Sequence, residues 1–228
     1  MLLFVCGQGS LIWSEQYLSS GNAAILFATL PIWFVIFDRP NWNSYFKSAN
    51  LIFGITIGFA GIILLFFDKS EAAVPSSSGS IEIIACFVIL FGIICWVTAS
   101  LYYRSHLSSG SVFLNLSIQL ISASIICLVI SFSFREFAGF AIIDISFAPT
   151  VAVLYLAIAG SIIAFAAYSW LLTQRTPVSV GTFAYINPLI AVFLGWLLAN
   201  EKITMLQQFA MLNVAGSAFL INKNKKSG

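Results

Sequence analysis

Residues 13–35 read WSEQYLSSGNAAILFATLPIWFV, and residues 170–192 read WLLTQRTPVSVGTFAYINPLIAV. Trp13, Pro31 and Val35 recur at identical spacing as Trp170, Pro188 and Val192, and each copy lies in apolar sequence. With a gap of two residues, Ala60 and Gly61 match Ala215 and Gly216, so the correspondence covers three consecutive hydrophobic segments. A fixed-period match of this kind marks a duplicated unit. Five segments separate the copies, and a unit that crosses a bilayer an odd number of times is inserted upside down relative to its copy. Such inverted repeats place a solute site near the midplane of the membrane.

Composition puts the chain in lipid independently of that pattern. Of its 228 residues 60% are hydrophobic and 8% charged, with a mean hydropathy of +1.00, whereas a soluble domain carries roughly 25% charged residues. At about 20 residues per crossing, the length accommodates roughly eight spans and no separate soluble domain. A net charge of +2 is too small to point to nucleic acid. The basic tail Lys223, Lys225 and Lys226 suits a cytoplasmic end facing anionic lipid. Cys6, Cys86, Cys95 and Cys127 lie in apolar runs without a C-x-x-C pair, so they read as buried, inert thiols.

Apolar runs and their polar interruptions predict an all-α integral membrane protein with eight helices: Leu2–Leu18, Gly21–Phe37, Asn50–Phe67, Ile83–Tyr103, Val112–Phe132, Ala148–Leu172, Ser179–Ala199 and Ile203–Asn222. Asp38, Arg39 and Pro40 end the second, and the stretch Ala73–Ser80 is the longest connection. Thr204 and Gln207 read as a capping box at the last helix. Residues 1–67 form a first repeat of three helices, 68–82 a loop, 83–222 a second repeat of five helices, and 223–228 the tail. Basic residues alternate unevenly across this map. Arg39, Lys47, Arg104, Arg175, Lys223, Lys225 and Lys226 fall on one side, against Lys69, Arg135 and Lys202 on the other. The positive-inside rule then places both termini in the cytoplasm. The second repeat has two leading helices that the first lacks; either the first unit evolved without that pair or this sequence begins inside a longer one, and the second is the expectation.

The stretch GQGSLIWSEQYLSSGNAAILFATLPIW (Gly7–Trp33) and the stretch GTFAYINPLIAVFLGWLLANEKIT (Gly181–Thr204) resemble the two signature regions of the EamA family in the drug/metabolite transporter superfamily. Pro188, Gly195, Trp196 and Glu201 occupy the positions of that family's mid-helix proline, Gly/Trp/Leu run and closing acid, and Asn213–Gly216 resembles the start of its closing helix. Trp13–Gly21 is similar to a subgroup of drug/metabolite exporters of bacterial inner membranes. The resemblance implies a five-helix unit used twice, here without the first two helices, and a departure at Asp38–Pro40, where the family carries a Glu-containing turn.

Pro31 and Pro188 are predicted near the centres of their helices, where each removes a backbone hydrogen bond. In lipid the freed carbonyl needs a neighbour, water or solute. Matched breaks of this kind point to a transport cavity, the alternative being structural kinks. Around them stand Asn22, Thr29, Tyr185 and Asn187, groups able to orient a solute without a buried charge. Glu15, with Trp13 and Gln16 beside it, is the one carboxylate inside a predicted helix, and either faces the cavity or reaches interfacial water. Trp170, Thr173 and Gln174 are the corresponding group in the second repeat. His106 reads as solvated, while Asn115 and Gln119 suit interhelical hydrogen bonds, with cavity lining as the alternative. Gly54, Gly58 and Gly61 read as close packing inside the bundle, with a homodimer face as the alternative. The expected function is a secondary transporter, an exporter of small organic metabolites or drugs working by alternating access in the inner membrane. The alternative is a truncated, non-transporting membrane protein or assembly subunit. Small-molecule solute and lipid are the expected partners. No cofactor, metal or enzymatic activity is expected, and no Walker-type G-x-x-x-x-G-K-[ST] loop is present.

Overall fold

In lipid no water is at hand for backbone amides, and a chain this apolar satisfies them within helices. The computed structural model describes residues 2–67, 79–106, 111–135, 146–199 and 203–223, and among these the secondary structure is entirely helical. Six helical stretches among the described residues are long and apolar enough to cross a membrane: Ser20–Phe37, Ala49–Phe66, Ser80–Ser105, Val112–Ser133, Pro149–Gln174 and Pro177–Leu198. Leu2–Ser14 is apolar but shorter, and ends in a turn at Glu15 rather than running on to Leu18 as its composition suggested. Met205–Lys223 is a helix of 19 residues with Asn, Gln and Ser among its apolar positions. Asp68, Lys69, Glu71, Glu136, Asp144, Glu201, Lys202, Lys225 and Lys226 lie outside the described residues, and with them part of the charge pattern and the closing acid of the family motif.

Local chemistry explains the helix ends. Ser19 caps the second helix by accepting from the amide of Asn22 at 3.3 Å. Thr176 caps the helix that opens at Pro177 by accepting from the amide of Ser179, also at 3.3 Å. These two caps stand at the same separation in sequence as Pro31 and Pro188. The predicted capping box is present and reciprocal, with Gln207 N to Thr204 Oγ1 at 3.2 Å and Thr204 N to Gln207 Oε1 at 3.1 Å. Asp38 caps the end of Leu30–Phe37 and receives hydrogen bonds from Asn41 Nδ2 and the Tyr45 hydroxyl, tying the short helix Trp42–Lys47 back against it.

Pro31 does not break the middle of a helix. A turn at Ala28 and Thr29 already divides Ser20–Phe27 from Leu30–Phe37, and Pro31 occupies the second position of the new helix, where a missing amide hydrogen costs nothing. Pro188 does sit within its helix, Phe183–Ala199.

Ala49–Phe67 and Met205–Lys223 form the most extensive helix pair. Gly54 lies against Ile221, Gly58 against Ser217 and Tyr185, and Gly61 against Val214, so the pair runs antiparallel. A Cβ at Gly58 would come within 2.6 Å of both the Ser217 hydroxyl and the Tyr185 ring, an approach only glycine permits. The glycine stripe is thus occupied by bundle packing. Gly92 serves the same purpose where Gly79–Ser105 meets Ser10 of the first helix. Leu30, Phe34, Ile62, Leu65, Ile89, Ile93, Val97 and Val214 fill the centre with no more than 1% of their surface exposed. Phe113, Phe132, Phe147, Tyr155 and Leu198 point outward, as side chains that face lipid do.

Candidate solute-binding cleft

Three cavities meet at Asn187, half-way along the span Pro177–Leu198. The first, about 580 Å³, runs between the turn at Glu15 and the helix after Phe183, with Ser19, Ser20, Gly21, Pro188 and Gly195 on its walls. The second, about 370 Å³, continues from it past Leu11 and Phe27, which line both, to Gln8 and a set of aromatic rings. The third, about 500 Å³, leads from Asn187 past Phe183 to Arg175 and Asn222. There it adjoins a polar cavity of about 610 Å³ that includes Lys47, Arg104 and Arg175. The cavities thus form a series with a carboxylate near one end and three cations at the other.

Pro188 carries no amide hydrogen to bond the carbonyl of Ala184 one turn earlier, and Ala184 lines the first cavity beside it. The side-chain amide of Asn187 has no partner among the described residues and is open to the cavities. Asn187 is an exposed residue, so its amide is free to be stabilised there by water or by a solute. Glu15 stands in the turn beyond the first helix, exposed and without an ion-pair partner among the described residues, and the apolar surroundings on its cavity side raise its pKa above the ordinary carboxylate range.

The remaining expected site residues occupy other surroundings. Tyr185 is buried, and its hydroxyl donates to the carbonyl of Ile55 at 3.2 Å, so it joins the first helices of the chain to the last. Thr29 accepts from Trp33 Nε1 and donates to the carbonyl of Leu26, stabilising the turn before Pro31. Trp13 rests against Tyr17 with ring centroids 4.9 Å apart. Pro31 is buried, whereas Gln16, Asn22 and Trp170 are exposed. None of these seven lines the cavities described here. Asn115 and Gln119 line a separate cavity of about 450 Å³ with the exposed His106, which stacks on Tyr102.

The feature that sequence reading missed is the aromatic wall. Phe27, Trp96, Phe165, Tyr168 and Phe183 come from four helices and all line the second cavity. Trp96 stands within 6.1 Å, centroid to centroid, of each of the other four. Trp96 Nε1 donates to the Tyr168 hydroxyl at 2.8 Å. Ser100 donates to the Trp96 carbonyl at 2.7 Å, which leaves its oxygen to accept from Tyr168, also at 2.7 Å. In a chain with 15% aromatic residues nothing singles these five out before folding.

At the end rich in basic residues, Arg104 donates to the carbonyl of Arg175 and joins two helices. Burial, then the hydrogen bond to Asp38, pushes the Tyr45 phenol above its ordinary pKa, so Tyr45 remains a donor.

Residues 83–223 match the EamA-like transporter family. The chain belongs to this family. An EamA chain is a membrane transporter by family, and its relatives are named accordingly. It is 30% identical to the uncharacterized inner membrane transporter YedA of Escherichia coli K12 over 228 residues, covering 99% of this chain and 69% of that protein. Identity to the uncharacterized transporter YoaV of Bacillus subtilis is 22% over 204 residues, or 86% of this chain and 64% of YoaV. An uncharacterized transporter of Archaeoglobus fulgidus is 24% identical over 193 residues, 82% of this chain and 61% of its own length. Membrane setting and transport are therefore properties this EamA chain shares with its family.

Proposed function

We propose that this EamA protein is a secondary carrier that exports small organic solutes by alternating access, with Asn187 at the centre of the solute path. The convergence of three cavities on an unpartnered amide beside an in-helix proline carries the reading. Residues 1–67 and 83–222 act as inverted repeats of an eight-span bundle. The matched caps at Ser19 and Thr176, and the antiparallel contact of Ala49–Phe67 with Met205–Lys223, support that symmetry. The two repeats rock about the cleft, opening it in turn at the Glu15 end and at the Arg175 end. With both termini cytoplasmic, the Arg175 end is the inner mouth and the Glu15 end the outer one. Glu15, Asn187 and Pro188 contact solute, and Trp13, Gln16, Asn22, Thr29, Pro31, Trp170 and Tyr185 shape the helices that carry them.

The test is flux of a panel of radiolabelled amines, amino acids and neutral metabolites in proteoliposomes holding purified wild type or Asn187→Leu. Solute movement by wild type, reduced about tenfold or more by the substitution, is expected from the loss of one hydrogen-bonding group inside the cleft. Equal flux in the two proteins would remove Asn187 from the path. No flux of any solute would favour the reading as a non-transporting membrane protein or assembly subunit.

A further inference from the structure

The aromatic cavity carries a substrate class. Its walls offer ring surface from Phe27, Trp96, Phe165, Tyr168 and Phe183, and no charged side chain among the described residues lines it. The hydroxyl of Tyr168 is saturated by Trp96 and Ser100, so the polar side chains left for a guest are the amides of Gln8 and Asn187. Neither has a partner among the described residues. Core packing accounts for the rings touching one another; it does not account for about 370 Å³ of space beside them, onto which the half-buried Gln8 and the exposed Asn187 also open. Aromatic faces favour flat rings in offset or edge-on contact and attract cations.

Beyond Leu11 and Phe27 the surroundings change sign. Glu15 lies four residues after Leu11, about 6 Å further along the helix axis. It is the only carboxylate lining any of the cavities described here and has no ion-pair partner among the described residues. A guest with its ring in the aromatic cavity and a short chain past Leu11 presents its far end to that carboxylate. We infer that the cleft is built for arylalkylammonium solutes, with the ring held by Phe27, Trp96 and Phe183 and the protonated amine directed to Glu15. This deepens the carrier reading, on which it rests only for the direction and fact of movement.

The inference is tested by equilibrium binding of 2-phenylethylammonium, 2-cyclohexylethylammonium and 2-phenylethanol to the full chain in lipid nanodiscs at neutral pH. The second and third probes each differ from the first in one feature, the aromatic ring or the positive charge. The first is expected to bind about tenfold more tightly than either of the others, the scale of a partly desolvated cation–ring or ion-pair contact. Phe183→Leu should erase the preference over the cyclohexyl compound, and Glu15→Gln the preference over the alcohol. Phe113→Leu, on the outward face, should change neither. Should Phe183→Leu fail to elute as a folded species, Phe27→Leu replaces it, since Phe27 lines both cavities. Equal binding of the three probes, or preferences that survive both substitutions, would overturn the inference. Proteoliposome flux separates the two readings. Selective binding without flux leaves the site standing and sinks the carrier reading. Flux of other solutes with no preference for the arylalkylammonium probe sinks the substrate class and leaves the carrier.

Discussion

Glu15 illustrates how a single residue's meaning depends on where a helix stops. The first helix ends at Ser14, which puts the carboxylate in a turn at the wall of the first cavity. Its pKa is raised by the apolar surroundings on its cavity side, so protonation sets in at a higher pH than for a free carboxylate. Attraction for a cation is present while the group is charged and is lost as pH falls through that raised value. Cation flux in vesicles should therefore decline on acidification, and Glu15→Gln should show the low flux at every pH. Adding Gln16→Glu to the Glu15→Gln variant should not restore flux, because Gln16, the next residue of the turn, lines none of these cavities. A pH profile unchanged by Glu15→Gln would assign the carboxylate to interfacial water. Tyr168 is a second residue-scale test. Tyr168→Phe leaves Trp96 Nε1 without its acceptor, and the lost bond in a buried site should lower stability by about 1–3 kcal/mol, read as a fall in the thermal midpoint in detergent.

At the scale of the element, the antiparallel contact of Ala49–Phe67 with Met205–Lys223 depends on the absence of side chains at Gly54, Gly58 and Gly61. Gly58→Val would drive methyl groups into Ser217 and the Tyr185 ring, and overpacking of this order costs about 1–3 kcal/mol. Thermal unfolding should show it, and Gly216→Val, where beyond the adjoining backbone of its own helix no described atom stands within 4 Å of the added Cβ, should not. The capping box at Thr204 makes a separate claim. Thr204→Ala should destabilise by about 1 kcal/mol while Thr204→Ser should not. Helix content by circular dichroism during thermal unfolding checks both. These elements also show what periodicity conveys. The capping box and glycine spacing were legible because they are local and follow from backbone hydrogen bonding and helix geometry. The turn at Ala28 and Thr29 was not, because its stabilisation by Trp33 and by the helices around it has no sequence signature as plain as a proline.

For the whole molecule, the claim is orientation. With seven basic residues assigned to one side of the eight-span map and three to the other, the positive-inside rule predicts that both ends lie in the cytoplasm. Reporter fusions after Gly228 and within the connection near Ser77 should report opposite compartments. The same compartment for both would refute the eight-span map. The series of cavities from Glu15 to Arg175 gives the bundle a polar axis, with a carboxylate near one end and basic side chains at the other, the asymmetry on which the proposed solute path rests.

Sequence alone was enough for the membrane setting, the helical class, the family resemblance and the capping box at Thr204, because each depends on composition or on neighbours within one or two turns. Its ten candidate site residues include Glu15, Asn187 and Pro188, which line the cavities, and seven that do not. Tertiary structure decided what those residues share. The meeting of three cavities at Asn187, the five-ring wall drawn from four helices and the burial of Tyr185 against Ile55 and Gly58 arise from contacts between residues far apart in the chain. One aromatic side chain among many apolar ones has the same transfer preference for lipid or for a cleft. Helix rotation and close packing at the glycine stripe, which no single segment determines, choose between the two.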